Sequence, residues 1–409
     1  MSSSPLPDGT RLLHIGPHKT GTTALQIALA KHSSDLLAQG VRYLSEGPRV
    51  NANYAAFALE GRSSRKIEGG LPVPIRHWES LRRNASTASE RIVLMSGEEF
   101  CVLSEQNVKS VIEEFGRERV HILVTLRPLV RILGSQWQQH IQGGKMRRSL
   151  DVWLHEVLDQ RDSAATTGAG FWKRHRHDEL IARWAAAVGE ENISVMILDD
   201  SDHDFLPRSV EQLLGLRPGT IGIEERVVNR SLTMEETEAI RSFYALMQDQ
   251  GYVDMPDHIR YMVSPAEYMK RHRKPLATES KIRLPDWAAE RAYRINQEMV
   301  ESIQRSRVHI IGNFAHLLKP PTLLGPAASE PITVLPLDLA GWTTLGALEH
   351  SRVVEGELPL PKQLSQKQMR RATGPQLAKE LLRRIRLRIV APQRKKDKQE
   401  STQTDLGEE

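Results

Sequence analysis

Hydrophobic and polar positions in the first half of the chain follow a repeating order. Four short, nearly unbroken apolar runs stand out: RLLHIG (11–16), RIVLMS (91–96), VHILVTL (120–126) and NISVMIL (192–198). Such runs predict strands covered on both faces, as in a parallel sheet. VRYL (41–44) predicts a smaller strand. The intervening stretches have helical spacing. TTALQIALAKHSSDLLAQG (22–40) places Leu25, Leu29, Leu36 and Leu37 near one face and stops at Gly40. SEQNVKSVIEEFG predicts a helix with Ser104 as its N-cap, Leu129 to Gln142 a second, and DELIARWAAAVG a third. Residues 47–90 show no clear period.

Strand alternating with helix predicts an α/β fold, a P-loop-like parallel sheet flanked by helices. After residue 230 the pattern turns helical, in TMEETEAIRSFYALMQDQG and PDWAAERAYRINQEMVESIQRS, followed by a short VHIIGN run. From about Pro320 the chain is rich in Pro, Gly and Leu and predicts weak order. GPQLAKELLRRIRLRIV (374–390) has the spacing of a basic amphipathic helix. The expected organisation is a main domain over 10–320, a weakly ordered extension over 321–370, and a basic helix with a disordered tail over 371–409.

Composition narrows the function classes. The net charge is +5, but residues 371–409 hold ten Lys or Arg against six Asp or Glu. The remainder is close to neutral, so the basic balance does not point to nucleic acid. A single cysteine, Cys101, cannot form an internal disulfide or a cysteine-based zinc site. With no apolar signal-peptide core near the N-terminus and no membrane-length apolar run, the expectation is a cytoplasmic protein. The tail helix could lie on an anionic membrane, dock on the domain or mediate oligomers, and the oligomeric state stays open.

In such a sheet, ligands bind beyond the carboxyl ends of strands. The loop after the first strand reads GPHKTGTT. Its glycines, Gly16 and Gly21, have P-loop spacing, yet Thr22 stands where a nucleoside triphosphatase places Lys, and Lys19 precedes the second glycine. Glycines and a following helix N-terminus suit a phosphate. Asp199 and Asp200 are the only acidic candidates for a magnesium partner, so triphosphate hydrolysis fits poorly. After the third long strand, VTLRPLVRILGSQW ends the strand with Arg127 and places Ser135 two helical turns on, on one face with Arg131. An Arg and a Ser so placed can grip one phosphate from two sides.

Together these segments resemble the sulfotransferases that use 3′-phosphoadenosine 5′-phosphosulfate (PAPS), over roughly residues 10 to 235. The resemblance implies a 5′-phosphosulfate loop of Pro17, His18, Lys19, Thr20, Gly21, Thr22 and Thr23, with Lys19 serving the oxygen between phosphate and sulfate. It implies a 3′-phosphate site of Arg127 and Ser135. Small-molecule members usually carry a catalytic His after the second strand; here MSGEEF offers Glu98 and Glu99. This variant is closer to bacterial and carbohydrate-type members, in which a Glu base is common. The expected base is Glu98, then Glu99, the acceptor a glycan or glycolipid, and no metal is needed. NRSL (229–232) resembles a segment near the cofactor's phosphates, implicating Asn229 and Arg230, although a helix N-cap at Ser231 or Thr233 explains it too. The alternatives are an ATP-dependent P-loop kinase and a non-catalytic nucleotide-binding protein.

Three other stretches are read more plainly. DDSDHD (199–204) lacks the Gly and closing Glu of a calcium loop and reads as a solvated strand-to-helix loop. The basic runs KRHRHD (173–178) and KRHRK (270–274) read as solvated faces. His14 reads as a strand residue.

Overall fold

The computed structural model describes residues 4–45, 50–64, 71–144, 146–159, 167–222, 230–250, 258–323, 332 and 334–355. In chain order its elements are β1 (Thr10–Gly16), α1 (Thr22–Lys31), α2 (Ser33–Leu37), β2 (Val41–Leu44), α3 (Asn53–Leu59), α4 (Arg76–Thr87), β3 (Ile92–Ser96), α5 (Glu105–Phe115), β4 (Val120–Leu126) and α6 (Leu129–Gln142). They continue with α7 (Leu150–Asp159), α8 (Thr167–His175), α9 (His177–Val188), β5 (Ile193–Ile197), α10 (Phe205–Leu214), α11 (Met234–Asp249), α12 (His258–His272), α13 (Asp286–Gln304), β6 (His309–Ile311) and α14 (Asp338–Glu355).

The expected α/β class is the one observed. The strands form one six-stranded sheet, ordered β2-β3-β1-β4-β5-β6, and every neighbouring pair is parallel. Alternation along the apolar runs fills two cores. Leu13, Ile15, Val93, Met95, Ile122, Val124 and Val195 pack with residues of α3, α4, α5 and α9. Leu12, Ile92, Leu94, Leu123 and Met196 pack with residues of α1, α2 and α10. The chain leaves β1 toward β2 on one side of the sheet and leaves β4 toward β5 on the other. Connections that diverge from adjacent strands open a crevice at their carboxyl ends, where ligands sit in such sheets.

The chain divides into two compact units. The first comprises Met1–Trp137, Leu150–Asn229 and Arg283–Glu330 and holds the sheet; the second comprises Gln138–Ser149, Arg230–Ile282 and Pro331–Glu409. Within the second, α14 packs on α12. Gly346 permits that approach, since a Cβ there would lie 2.6 Å from the Pro265 Cα.

Several elements differ from the expectation. The helix expected over 22–40 breaks at His32, whose φ of −95° and ψ of 19° end α1 and open α2. Residues 47–90 contain α3 and α4; the buried face of α4 is Trp78, Leu81 and Ala85, an i, i+3, i+7 pattern crowded by charged neighbours. VHIIGN contributes the edge strand β6. Helix α14, with Leu339 and Trp342 buried, lies within the stretch expected to be weakly ordered. Ser104 caps α5 as expected, accepting from the Asn107 N–H. The basic helix expected over 374–390 lies outside the described residues. Among the described residues no helix is long and apolar enough to cross a membrane.

Candidate functional site

The loop between β1 and α1 coils tightly. Gly16, Lys19 and Gly21 have φ of 81°, 69° and 80°, in the left-handed region where a non-glycine residue is strained by about 1–2 kcal/mol. Such strain at Lys19 persists only where surroundings hold it, and it concentrates at functional sites. Successive N–H groups converge on an anion where left-handed residues are interspersed in a tight turn, and Gly21 caps α1, whose N-terminus favours negative charge.

Three buried polar groups hold this loop from behind. His14, the last inward-facing polar residue of β1, places Nδ1 2.9 Å from Ser96 Oγ at the end of β3. Its Nε2 lies 3.2 Å from Thr125 Oγ1 near the end of β4. Thr20 Oγ1 lies 2.7 Å from that same Thr125 hydroxyl and donates to the Pro17 carbonyl at 2.6 Å. Burial lowers the His14 pKa to about 4, so the ring is neutral at ordinary pH and links three strand ends by hydrogen bonds alone.

Beyond β3 a 3₁₀ turn, Glu98–Val102, passes directly over the loop. A Cβ at Gly16 would lie 3.0 Å from the Glu98 Cβ and 3.2 Å from its Cα, so glycine, already at a left-handed φ, eases that approach. Glu98 is half-buried, and one carboxylate oxygen accepts from Gln26 Nε2 at 2.9 Å. Gln26 also donates to Ser96 Oγ at 3.1 Å and accepts from Asn51 Nδ2 at 3.2 Å.

Glu99 has a different environment. One oxygen lies 3.3 Å from His18 Nε2, and the other 2.9 Å from Arg62 Nη1 and 3.7 Å from Arg174 Nη2. Its backbone N–H donates to Asn53 Oδ1. Burial works to raise its pKa, but the His18 contact and the charges of Arg174 and Arg62 outweigh it and hold the carboxyl well below the usual range. Glu99 is therefore an ionised anchor for Arg62 and Arg174, with the His18 ring against its other oxygen.

Arg127 leaves the end of β4 and reaches back toward the loop, where Nη1 donates to the Lys19 carbonyl at 3.5 Å. Its Nη2 lies 2.7 Å from Asp200 Oδ1, and Arg131 Nε lies 3.8 Å from Asp200 Oδ2. Arg127 Nε is buried with no hydrogen-bond partner among the described residues, a donor set short of an acceptor. Ser135 is half-buried two turns into α6.

The sheet order thus brings together the loop of Pro17, His18, Lys19, Thr20, Gly21 and Thr22, the two Glu residues beyond β3, and Arg127 beyond β4; Thr23 is exposed on α1. Asn229 lies outside the described residues. Arg230 belongs to the second unit, where its Nη atoms donate to both Glu236 oxygens at 2.7 and 2.8 Å and to the carbonyls of Met269 and Arg273. Thr233 is the N-cap of α11, in a capping box with Glu236, so the N-cap explanation of NRSL applies there.

The basic runs are only in part the solvated faces expected: Lys173, Arg271, His272 and Lys274 are exposed, while other members of the runs turn inward. His175 and His177 are buried, and Arg174 contacts Glu99. Arg273 has no side-chain exposure and is caged by Glu236, Glu279 and Asp338. Glu99 for Arg174, and Glu236 and Asp338 for Arg273, are distant in sequence, so local composition does not reveal these pairs. In DDSDHD, Asp199 accepts from the Ser201 N–H and hydroxyl, and Asp200 faces Arg127. No group of three or more His, Cys, Asp or Glu that could hold a metal occurs among the described residues. Sequence reading missed Gln26, Asn53 and Arg62, placed Arg174 in a solvated basic run, and weighed Asp200 only as a magnesium partner or loop residue; only the position of Gln26, one turn into α1, was a local signal.

No family model matches the chain, and no curated protein matches it. Among solved structures, a sulfotransferase from Alicyclobacillus acidocaldarius is similar with a TM-score of 0.39 and 14% identity, over 60% of this chain and 97% of that one.

Proposed function

We propose that this chain is a sulfotransferase that takes the sulfuryl group from PAPS and passes it to a hydroxyl or amine of an acceptor, a glycan or glycolipid. The observation that carries the reading is the convergence of two separate anion-binding features at neighbouring strand ends. One is the coiled loop after β1; the other is Arg127 after β4, with a buried donor lacking an acceptor. A donor nucleotide with phosphates at both its 5′ and 3′ positions suits two such seats.

In this reading the backbone N–H groups of Thr20 to Thr23 hold the 5′-phosphate, and Arg127 with Ser135 holds the 3′-phosphate. Glu98 accepts the proton of the acceptor hydroxyl as its oxygen attacks sulfur. The bond from sulfur to the bridging oxygen breaks, and its electron pair stays on the 5′-phosphate. Lys19 stabilises that charge. The products are the sulfated acceptor, 3′,5′-ADP and a protonated Glu98. Glu98 suits the base role better than Glu99, because Glu99 is already committed to His18, Arg62 and Arg174. General-base help of this kind contributes roughly 10²–10⁴ in rate.

Calorimetric binding of 3′,5′-ADP and of ordinary ADP without metal tests the reading. The expected outcome is preference for the 3′-phosphate in the wild type and loss of that preference in Arg127→Ala. Equal binding of the two nucleotides, or binding that requires magnesium, would remove the proposal and favour a kinase.

A further inference from the structure

The geometry points to Asp200 as a resident carboxylate that fills the phosphate seat on Arg127 and Arg131 until a ligand displaces it, making it a specificity-determining residue for the site. The inference builds on the reading of Arg127 as a phosphate-binding group. Asp200 is the sole carboxylate recorded against Arg127 among the described residues, at 2.7 Å from Nη2, and it also reaches Arg131 at 3.8 Å. It leaves the guanidinium half used: Nη1 has a carbonyl at 3.5 Å and Nε has no acceptor. The Nε and Nη2 edge is the fork that a phosphate or carboxylate can take with two parallel bonds. A phosphate offering two oxygens would satisfy both positions, whereas Asp200 satisfies one.

Displacement is inexpensive on the Asp200 side. Its side chain is 36% exposed and stands on the strand-to-helix loop, and Arg131 is 72% exposed, so the carboxylate can turn into water. The neighbouring Asp199 is bound into its own loop by Ser201 and offers Arg127 no substitute. A phosphate and a carboxylate side by side on one guanidinium repel, so the two occupy the seat in turn. The consequence is selectivity: an anion that makes only one contact to Arg127 gains nothing over Asp200, and one that spans the fork does. Return of Asp200 to the arginines also favours release of a bound nucleotide.

The test is calorimetric titration of 3′,5′-ADP, 5′-AMP and inorganic phosphate into wild type, Asp200→Asn and Arg127→Ala, with thermal melting as a check on folding. Asp200→Asn keeps the shape and removes the charge. Since the pair displaced is half-exposed, 3′,5′-ADP should bind Asp200→Asn about two- to fivefold more tightly. 5′-AMP, which lacks the 3′-phosphate, should bind both proteins alike. Unchanged or weaker 3′,5′-ADP binding to Asp200→Asn would overturn the inference and make Asp200 a brace for Arg127. The phosphate arm separates this from the cofactor assignment. If wild type prefers neither nucleotide, the PAPS reading fails. The seat then still stands if Asp200→Asn takes up phosphate more strongly than wild type and Arg127→Ala does not. It falls if phosphate binding is insensitive to Asp200.

Discussion

Arg273 and Arg127 place the same side chain in two opposite situations. Arg273, in the second unit, has no side-chain exposure, and all three of its nitrogens donate to carboxylates of Glu236, Glu279 and Asp338. Burial works to lower its pKa, but those carboxylates outweigh it and hold the charge firmly. Arg127, in the first unit, has 35% side-chain exposure and, among the described residues, one carboxylate partner at the surface and a buried Nε with no acceptor. A closed set of partners serves the fold; an incomplete set beside a strained loop is, in the proposed reading, poised for a ligand. The difference teaches that charge and burial do not identify a binding arginine. A leftover donor alone does not identify it either, since Arg183 and Arg230 also have a buried Nε with no acceptor among the described residues; what sets Arg127 apart in the proposed reading is a leftover donor beside the loop after β1.

Substitution should separate the two sharply. Arg273→Ala strands three carboxylates in a buried place, and loss of one partner from such a network costs about 3–5 kcal/mol. A large fall in the denaturant midpoint is expected. Arg127→Ala removes a half-exposed pair, worth about 0–1 kcal/mol, and should leave the midpoint nearly unchanged while ending preference for 3′,5′-ADP. Equal destabilisation by the two changes would break the comparison.

The adjacent residues Glu98 and Glu99 repeat the contrast at shorter range. Glu98→Gln should lower PAPS turnover, read as release of 3′,5′-ADP, by roughly 10²–10⁴, with nucleotide affinity kept. Glu99→Gln removes the anchor of His18, Arg62 and Arg174 and should instead lower stability by about 1–3 kcal/mol. A larger loss of turnover in Glu99→Gln than in Glu98→Gln would reverse their roles.

Much of this arrangement is readable along the chain, for a physical reason. Strands buried on both faces need unbroken apolar runs, so VHILVTL marks β4 to the residue and Arg127 follows at its end. The loop after β1 is readable because tight coiling requires Gly16 and Gly21. Most residues that complete the site were not readable, because they come from segments that look like ordinary surface. Arg62 and Arg174 are 37 and 75 positions from Glu99 in sequence, and their meaning lies in a carboxylate that local pattern does not supply. Asp200 sits among other acids and differs from them only in facing Arg127. Gln26 has the helical register of a core position and is indeed buried, but its amide is spent on Ser96 and Glu98. The short helix α3 escaped because its seven residues span only about two turns of the period, and α4, at twelve residues, because charged neighbours crowd its apolar positions.

Acid should distinguish the two regions once more, by a smaller effect. Burial lowers the pKa of His14, and also of His121 and His177, to about 4, against an unfolded value near 6.5. The neutral ring is the folded form, so above pH ~6.5 folded and unfolded chains bind no proton there and stability is fully present. As pH falls from about 6.5 toward 4 the unfolded chain takes up protons that the fold refuses, and stability declines. The carboxylates behave differently: Glu279 in the Arg273 cage, where burial works to raise the pKa but the bonds from Arg273, Leu276 and Thr233 outweigh it, is lowered. Its contribution is complete above about pH 4.3 and is lost only below that. Denaturation midpoints followed from pH 7 downward should therefore fall first through the histidine window. His14→Gln, which cannot titrate, should be less stable than wild type at pH 7 by about 1–3 kcal/mol because the Ser96 and Thr125 hydroxyls lose part of their support. Its decline between pH 6.5 and 4 should also be shallower than that of wild type. An equally steep decline in the variant would mean that His14 takes up a proton inside the fold, and that the neutral link behind the loop is not what holds the three strand ends together.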